Sequence, residues 1–405
     1  MKSITLPCPL SVRNLLIQFK KAAVGAYPVG GCVRDALMGQ EPHDWDVAVT
    51  TVPEETLRIC EGWGYHVIPT GLRHGTVTVL TANGPVECTT CRTEGGYSDG
   101  RHPDGVSFTG KLTDDLSRRD FTVNAMAAEL SEDGETFEII DLFGGRDDLK
   151  NKLIRCVGDP HTRLTEDALR VMRGIRFAVK LGFDIHPDTV AALRDCKHGL
   201  ARISRERISV EFQKILCSDQ PERGVSLLFD LGLMPHVLPC GISPFGTGNL
   251  SSLPADFGVR CACLLWQMPA DELSENIRSL KLSNETAHAI KTLAGGVIPT
   301  ESSLLAARLL RKDYGNLALP LLSIATSHGR DTINLQAMVK ASAEAGECVS
   351  ISELALDGQA VMALGVPKGK AVGEILNSLL SLVLDDPAKN TKETLTKEVQ
   401  KRLSY

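Results

Sequence analysis

PVGGCVRDALMGQEPHDWDVAVTT, residues 28–51, decides how the first third of this chain is read. It joins a Gly30-Gly31 turn to a short helix around Val33–Met38 and then to a strand over Trp45–Thr50. Side chains two apart in a strand face the same way, so Asp44 and Asp46 point together while Trp45, Val47 and Val49 turn into the core. Two carboxylates held close together are costly unless a cation sits between them. Magnesium takes carboxylate oxygens together with substrate phosphate oxygens, so the pair anticipates a phosphate-bearing substrate. Gly30 and Gly31 add backbone N–H groups that can approach a phosphate chain with no Cβ in the way. Taken singly, each piece also has a plainer reading as a turn or a strand end.

Working outward, residues 1–25 read as an amphipathic helix with Leu10, Val12, Leu15, Leu16 and Phe19 on one stripe. The segment 75–91, GTVTVLTANGPVECTTC, alternates and breaks at Asn83-Gly84, the signature of a hairpin. Glu87 then lies on the second strand, where a third carboxylate could complete a two-metal clamp. RTEGGYSDGRHPDG, residues 92–105, is rich in glycine and reads as a long mobile loop. A strand or helix at FTVNAMAAEL and a strand at FEIIDLF close a mixed α/β unit near Lys150. From Thr165 the pattern is helix after helix, with Thr165 expected as an N-cap, Glu166 and Asp167 in the first turn, and no further strand. Prolines at 235, 239, 244 and 254 mark a linker over 235–257, and DDPAKN at 385–390 sets off a last charged helix. The fold class expected is α+β.

At 405 residues and 43% hydrophobic content the chain can bury a large core divided among two to four domains. It has no apolar run of membrane-spanning length and no signal-peptide pattern, so no membrane partner and a cytoplasmic location are expected. Twelve cysteines without paired spacing read as reduced thiols, and Cys88-Thr-Thr-Cys91 as structural rather than metal-binding. The net charge of −6 argues against a general nucleic-acid coat, yet it is unevenly spread. Residues 1–151 hold 14 Lys and Arg against 22 Asp and Glu, whereas 152–219 hold 13 against 9. Such a basic segment can hold a phosphate backbone while carboxylates elsewhere stay available for metal.

GGCVRD at 30–35 and HDWDVAV at 43–49, with RRDFTVNAMA at 118–127 and TEDALRVMRGIRFA at 165–178, resemble motifs A, B and D of the bacterial class II tRNA nucleotidyltransferases. These are the CCA-adding enzymes, close relatives of the bacterial poly(A) polymerases. The resemblance is strong over about residues 25–215. It implies a polymerase-β-like nucleotidyltransferase head with a mixed sheet over 1–150, followed by all-α neck (151–220), body (221–300) and tail (301–405) domains, the tail binding tRNA. The implied reaction is template-independent addition of CCA to the 3′ end of tRNA from CTP and ATP, releasing pyrophosphate, with no obligate protein partner.

The resemblance implies further that Asp44, Asp46 and, less closely matched, Glu87 are catalytic and hold two Mg2+ ions. Gly30, Gly31, Arg34, Arg118, Asp120 and Asn124 would bind nucleotide, with Asp120 reading the ribose 2′-hydroxyl. Asp167 and Arg170, expected as neighbours three apart on one helix face, offer a carboxylate acceptor beside a guanidinium donor. Cytosine and adenine both present an amino donor beside an unprotonated ring nitrogen, so one such pair can admit them and reject uracil and guanine. Arg163, Arg173 and Arg176 add positive charge for the triphosphate or the base, and ARISRERISVEFQKIL resembles motif E, read as support for the helices. The alternatives are an enzyme adding only the terminal A, a poly(A) polymerase, for which the modest last helix lacks the usual basic extension, and a catalytically idle RNA-binding protein, which would be expected to have lost a carboxylate. The uninterrupted 92–105 segment speaks against an enzyme adding only the two cytidines, and its flexible-loop element DGR at 99–101 marks it as a switch for the final A.

Overall fold

The computed structural model describes residues 4–95, 105–242 and 247–403. It divides into two compact units, Met1–Pro239 and Cys240–Tyr405, and the division falls inside the proline-marked 235–257 segment.

In the first unit, α1 (Leu10–Lys21) leads into β1 (Ala26–Pro28), α2 (Gly31–Leu37) and β2 (Trp45–Val49). The buried stripe of α1 is Val12, Leu15, Leu16 and Phe19. Leu10, expected on that stripe, is instead the first residue of the helix and 68% exposed. After α3 (Pro53–Gly62) come β3 (His66–Gly71), β4 (Thr76–Thr81) and β5 (Gly84–Thr90). Together these strands make one mixed sheet in the order β1-β2-β5-β4-β3. Only β2 and β5 run parallel; the other neighbours are antiparallel. The β4–β5 hairpin turns where Asn83-Gly84 predicts, with Gly84 at φ +116°. Trp45, Val47, Val49, Val77, Val79 and Cys88 fill one face against α1 and α3, leaving the opposite face of β2 and β5 to polar side chains.

The 92–105 segment begins and ends as structure. β6 (Arg92–Glu94) pairs antiparallel with β7 (Val106–Phe108), and the Gly95 N–H donates to the Gly105 carbonyl at 2.8 Å. The loop expected between them, with DGR at 99–101, lies outside the described residues. α4 (Leu112–Ser117) follows, and a 3₁₀ turn at Thr122–Asn124 opens β8 (Met126–Leu130), which pairs with β9 (Phe137–Asp141). This resolves the strand-or-helix ambiguity of FTVNAMAAEL. A bridge from Val29 to Ala127 couples this ribbon to the edge of the main sheet.

Beyond α5 (Gly145–Lys150), β10 (Leu153–Ile154) and α6 (Pro160–Glu166), the unit is helical: α7 (Leu169–Leu181), α8 (Pro187–Cys196), α9 (Arg205–Leu216), α10 (Pro221–Asp230) and α11 (Met234–Val237). One strand does return: β11 (Asp184–Ile185) pairs parallel with β10. Thr165 is not an N-cap. Asp159 caps α6, accepting the Thr162 N–H, and Pro160 occupies the first turn, the stronger start signal of the two. Asp167 therefore leaves the helix in an extended conformation, φ −132° and ψ 102°, between α6 and α7. The second unit is all helical among its described residues, from Phe257–Leu264 to Lys392–Leu403. Its buried Arg308 forks onto Glu347 and donates to the carbonyls of Leu384 and Asp385.

Candidate active site

The polar face of β2 and β5 forms the floor. Asp46 is exposed beside buried Trp45 and Val47, and Asp44 stands exposed in the bend just before the strand begins; both line the same cleft. Glu87 lies directly opposite Asp46 in the parallel register and is also exposed. Partial loss of water on the cleft floor raises the Asp46 pKa; Glu87 and Asp44 push it further up, against the pull of Arg119. That mutual repulsion among oxygen donors is the environment a hard divalent cation relieves, so the residues fit one. Among the described residues no three acidic, histidine or cysteine groups are already drawn in to coordinating distance.

Gly30 caps the start of α2 at φ +76°, a conformation that favours glycine, and a Cβ there would sit 2.6 Å from an Arg119 guanidinium nitrogen. Gly30 and Gly31 both line the cleft. Arg118 and Arg119 both pair with Asp115, which is 1% exposed.

The floor and these turns open on a cleft of about 790 Å³ that also takes in Asp120, Asn124, Asp167, Arg170 and Arg173. A chain of hydrogen bonds crosses its wall. The Arg34 guanidinium donates to the Asn124 side-chain oxygen, the Asn124 amide donates to Asp120 at 3.2 Å, and Arg173 forks onto Asp120 at 2.8 and 2.5 Å. Burial alone would raise the Asp120 pKa, but Arg173, Asn124 and the Phe121 N–H overcome it and hold it at about 2. Arg34 is 3% and Asn124 6% exposed, so these groups shape the wall as much as they face the cavity.

Asp167 and Arg170 both line the cleft, but not as partners on one helix face. Because α6 ends before it, Asp167 accepts the Leu169 N–H at 3.1 Å and pairs with Arg207 at 3.2 Å. Arg170 pairs with Glu166 at 2.6 Å and donates to the carbonyls of Arg163 and Arg118. Arg163 shares the same Glu166 carboxylate. The setting of Asp167 and Arg170 thus rests on Arg207, from the segment read as helix support, and on Glu166. Phe177 was also missed: the guanidinium carbons of Arg176, Arg173 and Arg34 stand 4.3, 5.4 and 5.5 Å from its ring centre. The repeat Arg170, Arg173, Arg176 hinted at a cationic helix face, but nothing local distinguishes Phe177 from a core aromatic. Arg176 also faces buried Glu211 of α9 at 3.1 Å. Cys88 and Cys91 are fully buried with raised pKa values, and every cysteine of the chain is free.

A polymerase-β-like palm with carboxylates on its polar face, opening onto an arginine-lined cleft, defines a nucleotidyltransferase. The model of the poly A polymerase head domain matches residues 26–155, that of an RNA and SrmB binding site of polymerase A matches 182–241, and that of tRNA nucleotidyltransferase domain 2 matches 260–399. The CCA-adding enzyme of Limosilactobacillus fermentum is 36% identical over 98% of both chains, and that of Streptococcus gordonii likewise 36% over 98% of both. The solved CCA-adding enzyme of Bacillus stearothermophilus in complex with CTP has a TM-score of 0.80 and 28% identity over 97% of each chain. The Thermotoga maritima CCA-adding enzyme complexed with tRNA shares the fold, with a TM-score of 0.71 at 20% identity over 96% of this chain and 94% of that one. The chain belongs to the CCA-adding enzyme family and is a tRNA nucleotidyltransferase; membership implies use of a divalent metal. No described helix is long and apolar enough to cross a membrane.

Proposed function

We propose that this chain adds both C residues and the terminal A to the 3′ end of tRNA, using CTP and ATP and two Mg2+ ions. The observation that carries the reading is one cleft that takes in Asp44 and Asp46 on its floor, with Glu87 opposite Asp46 on the neighbouring strand, and that is walled by the Asp167–Arg170 corner. Asp44, Asp46 and Glu87 are the residues that would hold the metal. When bound, the metal supplies Lewis-acid stabilisation of charge on the transferring phosphoryl group and lowers the pKa of the attacking hydroxyl.

The chain's own residues do the rest. Gly30 and Gly31 bring backbone close to the phosphates, and Arg118, Arg173 and Arg176 offset their charge. Asp120, held ionised by Arg173, and Asn124 fix the wall beside the ribose. Asp167 accepts from the exocyclic amine of cytosine or adenine while Arg170 donates to the ring nitrogen, and the carbonyl-bearing edges of uracil and guanine meet the wrong partners.

In our division of labour, residues 1–150 carry the chemistry, 151–220 read the base, and 221–300 and 301–405 hold the tRNA, in the cytoplasm, where the free thiols stay reduced. The test is to supply tRNA lacking its CCA end with CTP alone, ATP alone or both, and to sequence the products. Products ending in CC with CTP and in CCA with both are expected; addition of A without prior C would favour the A-adding alternative, and long A tails a poly(A) polymerase.

A further inference from the structure

His74 lines the same cleft as Asp44 and Asp46, and its backbone is fastened from three sides. It ends a 3₁₀ turn, Leu72–His74, between β3 and β4. The Arg92 guanidinium, from the start of β6, donates to the His74 carbonyl. The carbonyl of the next residue, Gly75, accepts the Thr90 N–H of β5 at 2.8 Å. Gly75 itself stands at φ +85°, and a Cβ there would come within 2.8 Å of the Phe108 ring of β7. One turn is thus tied to the strand that carries Glu87 and to both strands that frame the 92–105 segment. None of these contacts uses the imidazole. His74 is exposed, and its ring makes no hydrogen bond or ion pair among the described residues.

Strand register places this turn across the floor from the glycine loop. Asp46, Glu87 and Thr78 make one row over β2, β5 and β4. Two residues on, Ala48, Thr89 and Thr76 make the next row of the same face, with the Thr76 and Thr89 hydroxyls 3.0 Å apart. The turn follows that second row, so at about 3.3 Å per residue it begins roughly 7 Å from the carboxylates. Gly30 and Gly31 lie at the other end. β1 runs antiparallel to β2, and the Val29 N–H donates to the Asp46 carbonyl, so the chain leaves β1 where β2 starts. In the sheet order β1 and β4 also flank the β2–β5 pair on opposite sides. The glycine loop and His74 therefore stand at diagonally opposed corners of one polar floor, with Asp46 and Glu87 between them.

In phosphoryl transfer the attacking and leaving oxygens lie roughly in line on opposite sides of the phosphorus. With the triphosphate against Gly30 and Gly31, pyrophosphate departs toward that corner and the RNA 3′-hydroxyl enters from the other. We propose that His74 is a further catalytic residue on the acceptor side: its imidazole N–H donates to the backbone phosphate of the RNA's 3′-terminal nucleotide and holds the hydroxyl in line with the α-phosphate. This rests on the reading of the cleft as the place where a nucleotide is joined to an RNA 3′ end. Misplacing a reacting group by about 1 Å can cost on the order of 100-fold in rate, which is why the turn is fastened so closely. A contact to phosphate reads no base, so His74 serves each addition alike while Asp167 and Arg170 choose the nucleotide.

The test uses the full chain carrying His74→Ala, with His74→Asn and His74→Gln alongside, each amide keeping an N–H donor near the place of one ring nitrogen. Rates of extension are measured on tRNA lacking CCA, with CTP and tRNA varied in turn. His74→Ala is expected to lower kcat/KM for tRNA roughly ten- to a hundredfold, the scale of one hydrogen bond to a charged group, while KM for CTP and the melting temperature hold at parental values. At least one of the amide variants is expected to recover most of that loss. Parental kcat/KM for tRNA in His74→Ala overturns the inference, and so does a loss carried by KM for CTP, one that follows a fall in melting temperature, or one that neither amide restores. Should the parent add A alone or long A tails, CCA addition fails as the function, and the same comparison run with ATP still decides the role of His74.

Discussion

Asp46 and Glu87 meet because two strands run parallel in register, whereas Asp120 and Asp167 are held by Arg173 and Arg207, 53 and 40 residues away in the chain. On the floor, geometry comes from the backbone. The carboxylates repel one another, a repulsion that a divalent cation would relieve. On the wall, geometry comes from side chains that already bond to each other, so each group is held in place before any nucleotide arrives. Losses on the floor should therefore appear in chemistry, and losses on the wall in stability and selectivity.

The sharpest way to break that contrast is Asp44→Ala or Asp46→Ala. Removing metal-bound charge stabilisation worth several kcal/mol should slow nucleotide addition on the order of 10³-fold or more. The melting temperature and tRNA affinity should hold, and near-parental turnover with magnesium would show that the floor is not the metal site.

Arg173→Ala comes next. It strands a 7%-exposed carboxylate, and breaking a buried pair costs about 3 kcal/mol. Denaturant unfolding should show that loss, and an unchanged midpoint would mean that Asp120 finds another partner.

Acid should expose the same pair. Asp120 is held at about 2 in the folded chain, below the ordinary carboxylate value, so its contribution is present above about pH 4 and is lost as pH falls toward 2. The full term is about 2 kcal/mol at neutral pH. In Asp120→Asn this component of the acid dependence of stability should vanish; the same fall in stability from pH 4 to 2 in variant and parent would assign it to other groups.

The smallest effect is expected from Arg207→Ala. Asp167 keeps its bond from the Leu169 N–H but loses its lateral partner, so discrimination of CTP and ATP from UTP and GTP should drop roughly tenfold, the scale of one hydrogen bond to a charged group. Single-turnover rates for the four nucleotides measure it. Uniform slowing of all four would make Arg207 a support with no part in selection.

Much of this was legible in the chain itself. Period-two alternation placed Asp44 and Asp46 opposite the buried Trp45 and Val47, and Asn83-Gly84 placed the hairpin that carries Glu87. Both are local properties, because strand periodicity and turn chemistry act over a few residues. The motif resemblance added the family and the helical remainder. Spacing failed at Asp167: three residues to Arg170 suggests a shared helix face, but Asp159-Pro160 starts the earlier helix and spends it by Glu166, leaving Asp167 to an extended break.

What the sequence determined by itself, then, was the set of elements and the identity of the acids, since alternation, capping and turn residues are encoded within one or two turns of chain. Only the tertiary structure decided which charge meets which. The parallel pairing of β2 with β5, the packing of α7 on α9 and the seat of the Lys197–Arg202 turn against Ala168 bring together groups tens of residues apart. An arginine's long side chain can reach any of several carboxylates, and the choice is fixed by burial and by the space the packed helices leave, which no local pattern records.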